Sequence, residues 1–348
     1  MKYFFNSNGI EALNKYIFQK NPSKIFVLTD TNTRVSCLPV FKNYFSFGFT
    51  NINTKSGDEN KNINSLIAIW ETLMKKGADR KSLLINLGGG VVTDIGGFAA
   101  TGFKRGIDFI HIPTTLLGMV DAAIGGKNGI NFMQAKNQIG TIVQPQFVWI
   151  NTVFLDTLPQ TELDSGFAEM LKHGLIADET YWNKLIANYH YFNNPQQPKV
   201  LNLIKKSVEI KDQVIKADPY EKGWRKILNF GHTLGHAIET HFNYNKKQKL
   251  SHGHAVAVGM ILAAYLSEKI TGLSMIKAEK IKKSLQVIYP KLDFRTDDIR
   301  IITDLLNFDK KNERGKINFV LLEQIGKPVL DQQVPDKLII ETFDFYKS

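Results

Sequence analysis

Cysteine is almost missing from this chain of 348 residues: Cys37 is the only one. That excludes an internal disulfide and any metal site built from several thiolates, and it fits a reducing, cytoplasmic setting. No run of eighteen apolar residues occurs, so no membrane-spanning helix is expected. The opening MKYFFNSNGIEALNKYIF carries a Lys but no continuous apolar core and no small-residue cleavage site, so no signal peptide is expected. Internal repeats and low-complexity segments are absent. Two common signatures are missing as well. The glycine cluster at 88–90 does not extend to GxGxxG, and Thr233 stands where HExxH needs Glu. Arginine is scarce, with seven residues against 37 lysines.

The net charge is +11. A basic balance suits nucleic acid, an acidic membrane surface or a small anion. The densest runs, Lys205-Lys206 and Lys246-Lys247-Gln248-Lys249, lack interleaved aromatics and match no nucleic-acid motif. They read as solvated lysine surface. With arginine so rare, Arg105 among glycines and apolar residues is more informative than any of these lysines.

The length exceeds what one core organises, and 43% hydrophobic residues suffice for two. The first part alternates short apolar runs with helical spacing. Strands are expected at 24–30, 82–87 and 109–112, with helices at 60–77 and 93–101. Strand-helix-strand order at this spacing predicts a Rossmann-like α/β domain with a parallel sheet. From about Leu158 the apolar residues recur at helical spacing, over 161–177, 180–190, 198–217, 229–243, 252–271, 275–288 and 297–308. A possible hairpin follows at 317–322 and 327–330. The expected division is therefore 1–157, a nucleotide-binding α/β domain, and 158–348, a mostly helical metal- and substrate-binding domain.

Gly88-Gly89-Gly90 follows a strand and precedes a helix. Such a turn lets the backbone approach a phosphate at a helix N-terminus, although a triple glycine alone more often marks a tight turn. Asp30 and Thr114-Thr115 end two further strands. In an open parallel sheet the carboxyl ends of strands line the ligand crevice, so these three ends together suggest a nucleotide.

Five of the eight histidines fall between His232 and His254. His232 and His236 sit four apart on a helix expected to start near Gly231, so they share a face. His252 opens another predicted helix, and Glu169 is a carboxylate in apolar helical sequence. Three such ligands with an open position would suit catalytic zinc. The plainer alternatives are a Glu169–Lys172 ion pair and hydrogen-bonded histidines. His241 reads as a surface residue, His254 as a weak candidate, and His111 and His190 carry no signal. Lys104-Arg105, Lys127, Lys136-Asn137, Lys172, Lys211 and Arg225 would suit a substrate with a phosphate and a carboxylate if they converged. Asp121, a carboxylate among small apolar residues, wants a partner such as Lys127 or a ligand hydroxyl.

Taken together the residues resemble the 3-dehydroquinate synthases, within the sugar-phosphate cyclases. The strings that carry the resemblance are LTDTN, SGDENK, LGGGVVTDIGGF, FKRG, IPTTLL, MVDAAIGGKNGIN, KNQIG, FLDTLP, GFAEMLKHG, GWRKILNFGHTLGHAIE, HGHAVAVGM and FDKKNERGKINFVLL, in order over most of 26–326. The resemblance implies a homodimer that uses NAD and a divalent metal, normally zinc with cobalt possible, and an active site between the two domains. It matches Glu169, His232 and His252 to the metal ligands. It matches Asp30, Asn32, Asp58, Lys61, Gly89, Gly90, Val91, Asp94, Thr114, Thr115, Phe154 and Thr157 to NAD contacts, and Asp121, Lys127 and Lys136 to positions near nicotinamide and substrate. Arg105, Asn137, Lys172, Lys211, Arg225, Asn229 and His236 match substrate positions, and Lys310 or Lys311 matches a phosphate contact. His254 stands where many relatives carry Glu.

The implied reaction turns 3-deoxy-D-arabino-heptulosonate 7-phosphate into 3-dehydroquinate and phosphate, a step toward aromatic amino acids. NAD takes a hydride, phosphate leaves by β-elimination, the hydride returns, and an aldol closure completes the ring. NAD is then a catalyst rather than a consumed reagent. His236 is the candidate for proton transfer or hydroxyl positioning. Alternatives are another sugar-phosphate cyclase, such as a deoxy-inosose or valiolone synthase, or a metal-dependent alcohol dehydrogenase of the same architecture.

Overall fold

The computed structural model describes residues 1–133, 135–246, 249–312 and 317–348, the side chains at 245 and 307–312 excepted. The chain divides into two compact units, Met1–Pro159 with Asn193–Val208, and Gln160–Phe192 with Glu209–Ser348. The expected division put 193–208 in the second part; here that segment groups with the first.

In the first unit the elements run β1 (Tyr3–Phe5), α1 (Ser7–Lys20), β2 (Ile25–Asp30), α2 (Thr31–Ser36), α3 (Leu38–Tyr44), β3 (Thr50–Thr54), α4 (Ile63–Lys75), β4 (Leu83–Gly88), α5 (Gly90–Gly102), β5 (Asp108–Pro113), β6 (Lys127–Phe132), β7 (Ala135–Ile142) and β8 (Val148–Ile150). Six strands form a parallel sheet in the order β1-β8-β5-β4-β2-β3. β2 and β4 are buried at every position, as their unbroken apolar runs require of strands covered on both faces. Phe26, Leu28, Leu66, Ile69, Leu84 and Ile95 belong to one core cluster. β3 lies on one side of β2 and β4 on the other, so the strand order reverses between β2 and β4. In such sheets ligands bind outside the carboxyl ends at this reversal. Asp30 and Gly88 are the residues at those ends.

α4 starts three residues later than its apolar spacing suggests. The Asn62 side chain accepts from the amides of Asn64 and Ser65, which fixes the helix start, and Asp58–Asn60 form a separate 3-10 turn. β6 and β7 make an antiparallel hairpin outside the main sheet. Sequence reading missed it because β7 is exposed along nearly its whole length and shows no period-two alternation.

The second unit holds α6 (Gln160–Ala177), α7 (Glu179–Asn188), the C-terminal part of α8 (Pro198–Ala217), α9 (His232–Thr240), α10 (His252–Ile270), α11 (Met275–Ile288), α12 (Thr296–Asn312), the hairpin β9 (Phe319–Gln324) and β10 (Lys327–Gln332), and α13 (Asp336–Lys347). α10 is apolar or small on nearly every side and buried from Ala255 to Ala264, the pattern of a central helix. The helix expected over 229–243 is three pieces: a 3-10 turn at Trp224–Asn229, α9, and a π turn at His241–Asn245. Gly231 causes the break. Its φ is +78°, and a Cβ there would lie 2.9 Å from the Met260 amide nitrogen. Gly259 and Gly253 permit equally close approach. A Cβ on Gly259 would fall 2.0 Å from the Gly231 oxygen, and one on Gly253 would fall 2.3 Å from the Ser165 Cα. Glycine therefore lets α9 and α6 approach α10 at backbone distance.

Candidate metal and nucleotide sites

Glu169 sits in the middle of α6, in a stretch buried from Ser165 to Ile176. One carboxylate oxygen, Oε2, pairs with the Lys172 ammonium one turn on. This is the ion pair that the sequence offered as the plainer reading, and it accounts for half of the carboxylate. The other oxygen, Oε1, is buried and has no hydrogen-bond partner among the described residues. His232 Nε2 stands 3.4 Å from it and His252 Nε2 3.7 Å.

The opposite ring nitrogens are tied back. His232 Nδ1 lies 3.3 Å from the Phe230 carbonyl, and His252 Nδ1 lies 3.1 Å from Glu239 Oε2. Both rings donate through Nδ1 to these acceptors, so Nε2 is the nitrogen turned toward Glu169, and it can ligate a metal once it carries no proton. A carbonyl or carboxylate behind each ligating imidazole is the usual arrangement at protein metal sites. His236 joins from the next turn of α9. Its ring centre is 5.1 Å from that of His232 and 5.7 Å from that of His252. Ligand nitrogens of the three histidines lie within 4.8 Å of one another.

Burial would push the Glu169 carboxyl up, but the Lys172 charge and the two imidazoles outweigh it and hold the group well below the usual carboxylate range. Burial lowers His232. It would lower His252 as well, yet the neighbouring Glu169 and Glu239 carboxylates lift that ring to about 9. An unpartnered buried oxygen costs roughly 1–3 kcal/mol. A divalent cation between Oε1 and the two Nε2 atoms would remove that cost, and one carboxylate with two imidazoles is a donor set zinc accepts. The residues fit a metal.

Sequence reading missed Glu239. Its only signal was position, seven residues after His232 and so on the same face of α9. His241 needs correcting: it is buried, with Nε2 2.8 Å from Asp298 Oδ1, and is no surface residue. His254 turns away from the cluster, its Nε2 2.8 Å from the Pro290 carbonyl.

Among the other residues expected in this unit, Lys211 and Arg225 are buried and Asn229 is exposed. The Asp218 carboxylate accepts from the amides of Lys222, Gly223 and Arg225, and the Arg225 guanidinium donates to the Pro219 carbonyl at 2.8 Å. The side chains of Lys310 and Lys311 lie outside the described residues.

In the first unit, Gly89 caps α5 without any side-chain bond to the first turn, so the amides there are free of a competing side chain. A Cβ on Gly89 would meet Thr115 Cγ2 at 2.8 Å, and one on Gly90 would meet the Ala122 Cβ at 3.0 Å. The bare backbone at a helix start beside the strand reversal fits a dinucleotide's phosphates. Val91 is half-buried on α5, Thr114 is buried, and Thr115 Oγ1 accepts from the Gly118 amide. Asp30 acts locally, since its Oδ1 caps α2 by accepting from the Asn32 and Thr33 amides.

Five expected residues meet at one point. Buried Lys61 puts Nζ 3.0 Å from Asp94 Oδ2, 2.6 Å from Asn137 Oδ1 and 3.6 Å from Asp58 Oδ1, and Lys136 Nζ lies 3.6 Å from Asp58 Oδ2. Burial lifts the Asp94 carboxyl and Lys61 opposes it, and with the Asp121 and Asp58 charges adding to the rise the group comes to about 6. Asn131 pins the hairpin to this cluster through the Asp58 carbonyl and the Lys61 carbonyl.

Other expected positions are more scattered. Asn32, Lys127 and Thr157 are exposed, and Phe154 is buried edge-on to Trp149. Arg105 is exposed and ends a left-handed pair, with φ of 52° at Lys104 and 66° at Arg105. Two consecutive side chains in that region store backbone strain.

The model for the 3-dehydroquinate synthase N-terminal region matches residues 51–165, and the model for its C-terminal region matches 166–312. The 3-dehydroquinate synthase of Parabacteroides distasonis is 44% identical over 332 residues, 93% of this chain and 92% of that one. A 2-deoxy-scyllo-inosose synthase, solved with carbaglucose-6-phosphate, NAD+ and Co2+, aligns with TM-score 0.85 at 26% identity, covering 98% of this chain and 95% of the other. A 2-epi-5-epi-valiolone synthase from Streptomyces hygroscopicus, with NAD+ and Zn2+ bound, aligns with TM-score 0.86 at 23% identity, over 99% and 96%, a likeness of fold. With a relative this similar along almost the whole of both chains, and both halves matched in order, the chain belongs to the 3-dehydroquinate synthase family.

Proposed function

We propose that the protein is a 3-dehydroquinate synthase, a phosphate-eliminating cyclase that acts on 3-deoxy-D-arabino-heptulosonate 7-phosphate with NAD and a divalent cation. The observation that carries the metal part is the buried, unpartnered Glu169 Oε1 faced by two imidazole Nε2 atoms. When bound, the cation supplies a Lewis acid for substrate hydroxyls and NAD supplies a reversible hydride acceptor.

The remaining work falls to the chain. Glu169, His232 and His252 hold the cation, and the Phe230 carbonyl and Glu239 orient the two rings. Lys172 neutralises the second carboxylate oxygen, so that one buried acid can sit in an apolar helix. His236, exposed beside the cluster, positions a substrate hydroxyl or moves its proton. Arg105, Asn137, Lys127, Lys211, Arg225, Asn229 and Lys310 serve the substrate's phosphate, carboxylate and hydroxyls. The α5 amides at Gly89 and Gly90 take the NAD phosphates, with Asp30, Asn32, Asp58, Lys61, Val91, Asp94, Thr114, Thr115, Asp121, Lys136, Phe154 and Thr157 around the cofactor. On this reading 1–157 carries NAD and 158–348 carries the metal. Zinc is the resident ion, cobalt can replace it, and the enzyme works as a cytoplasmic homodimer. The other sugar-phosphate cyclase reading is less well supported, since the dehydroquinate synthase relative is 44% identical and the inosose synthase 26%.

Replacing Glu169, His232 or His252 by Ala should strip the bound metal and abolish phosphate release together. Full metal content by atomic absorption in all three variants would overturn the ligand assignment.

A further inference from the structure

We propose that Glu239 is a positioning residue of the metal centre, holding the His252 ring through Nδ1 so that Nε2 is presented to Glu169. The inference rests on the reading of Glu169, His232 and His252 as ligands and adds a residue that this reading does not require. Its basis is an asymmetry between the two imidazoles. His232 is anchored by the Phe230 carbonyl, two residues away on its own backbone. That anchor is a backbone carbonyl at the turn before Gly231 and needs no second side chain. Among the described residues His252 has no such local anchor. It is the first residue of α10, preceded by the N-cap Ser251, whose side chain serves the His254 amide. A side chain at a helix start lacks a preceding helical turn to restrict its rotamer. The acceptor that meets its Nδ1 is Glu239 Oε2 at 3.1 Å, thirteen residues earlier and on another helix.

Glu239 is 7% exposed, and its helix also carries His232 and His236. Its carboxylate therefore couples the rotamer of a ligand on α10 to the helix that bears another ligand. A carboxylate behind a ligating imidazole fixes ring orientation and raises ligand basicity, and losing it costs on the order of 10- to 100-fold in metal affinity. A simple tether between α9 and α10 would instead affect only the folding of the metal-free chain.

The test uses the full-length protein, stripped with chelator and titrated with Co2+ against a competing chelator, with the visible d–d spectrum as second readout. Glu239→Ala, His252→Ala and Glu239→Gln are compared. The Gln variant keeps an acceptor oxygen without the charge, and it covers the case in which the Ala variant fails to fold. The proposal expects Glu239→Ala to bind Co2+ on the order of 10- to 100-fold more weakly with an altered spectrum. It expects Glu239→Gln to keep the wild-type spectrum with a smaller loss. If Glu239→Ala binds within twofold of wild type with an unchanged spectrum while His252→Ala loses the ion, the role of Glu239 is refuted and the ligand set stands. If His252→Ala also binds like wild type, the ligand reading falls and takes this proposal with it.

Discussion

Single residues in this protein are placed by the cost of burying charge. Glu169 shows the rule in its strictest form, with one oxygen neutralised by Lys172 and the other faced by the His232 and His252 imidazoles. His111 shows the opposite solution. Buried in β5 with Asn86 Nδ2 donating to its Nδ1 at 3.2 Å, it stays neutral, and burial pushes its pKa from 6.5 down to about 3. A histidine depressed in the folded state gives full stability above its unfolded pKa and loses it as pH falls toward the folded value, because the unfolded chain gains the proton first. Between pH 7 and pH 5 this group should remove about 2 kcal/mol of stability, at about 1.4 kcal/mol per unit below 6.5. Denaturant midpoints should therefore fall over that range, and fall less in His111→Gln. Parallel pH curves for the two proteins would refute the assignment. His111 carried no signal in the sequence because an apolar strand with one histidine looks the same whether the ring is functional or only buried.

Elements position the site through glycine. α10 reaches α9 at backbone contact because Gly259 and Gly231 leave no side chains between them, and it reaches α6 through Gly253. Gly259→Ala should destabilise the second unit by about 1–3 kcal/mol through overpacking and lower metal content at the same time, read by thermal melting and metal analysis. A wild-type melt with full metal would contradict this packing account. In the first unit, Lys61→Met should loosen the hairpin from the turn at Asp58, since it removes the cation shared by Asp58, Asp94 and Asn137. The expected result is several-fold weaker NAD binding by fluorescence titration, with metal content unchanged; unaltered NAD affinity would count against the cluster's role.

The elements that the sequence disclosed were those with one-dimensional signals. β2 and β4 are unbroken apolar runs, α10 is a long apolar run opened by an N-cap serine, and α11 has apolar residues at helical spacing behind another. β7 gave none, since an exposed hairpin carries no burial pattern, and the split of 229–243 depends on a tertiary contact of Gly231 with α10. The i, i+4 pair His232 and His236 was legible for the same reason as the helices. The bond from Glu239 to His252 was not, because it joins two helices whose crossing no local spacing encodes.

For the whole molecule, the decisive question is whether NAD is recycled within each turnover. The family's chemistry returns the hydride before the ring closes, whereas an alcohol dehydrogenase of similar architecture would release reduced cofactor. Family membership was legible in strings spread along the chain, because such motifs record what a site must contain even where they do not record its geometry. Among the described residues no helix is long and apolar enough to cross a membrane. The most direct measurement follows inorganic phosphate and NADH together when the metal-loaded protein meets 3-deoxy-D-arabino-heptulosonate 7-phosphate, with and without a chelator. The account predicts sustained phosphate release, no net NADH, and loss of release in chelator; NADH accumulating in step with turnover, or phosphate release indifferent to metal removal, would contradict it.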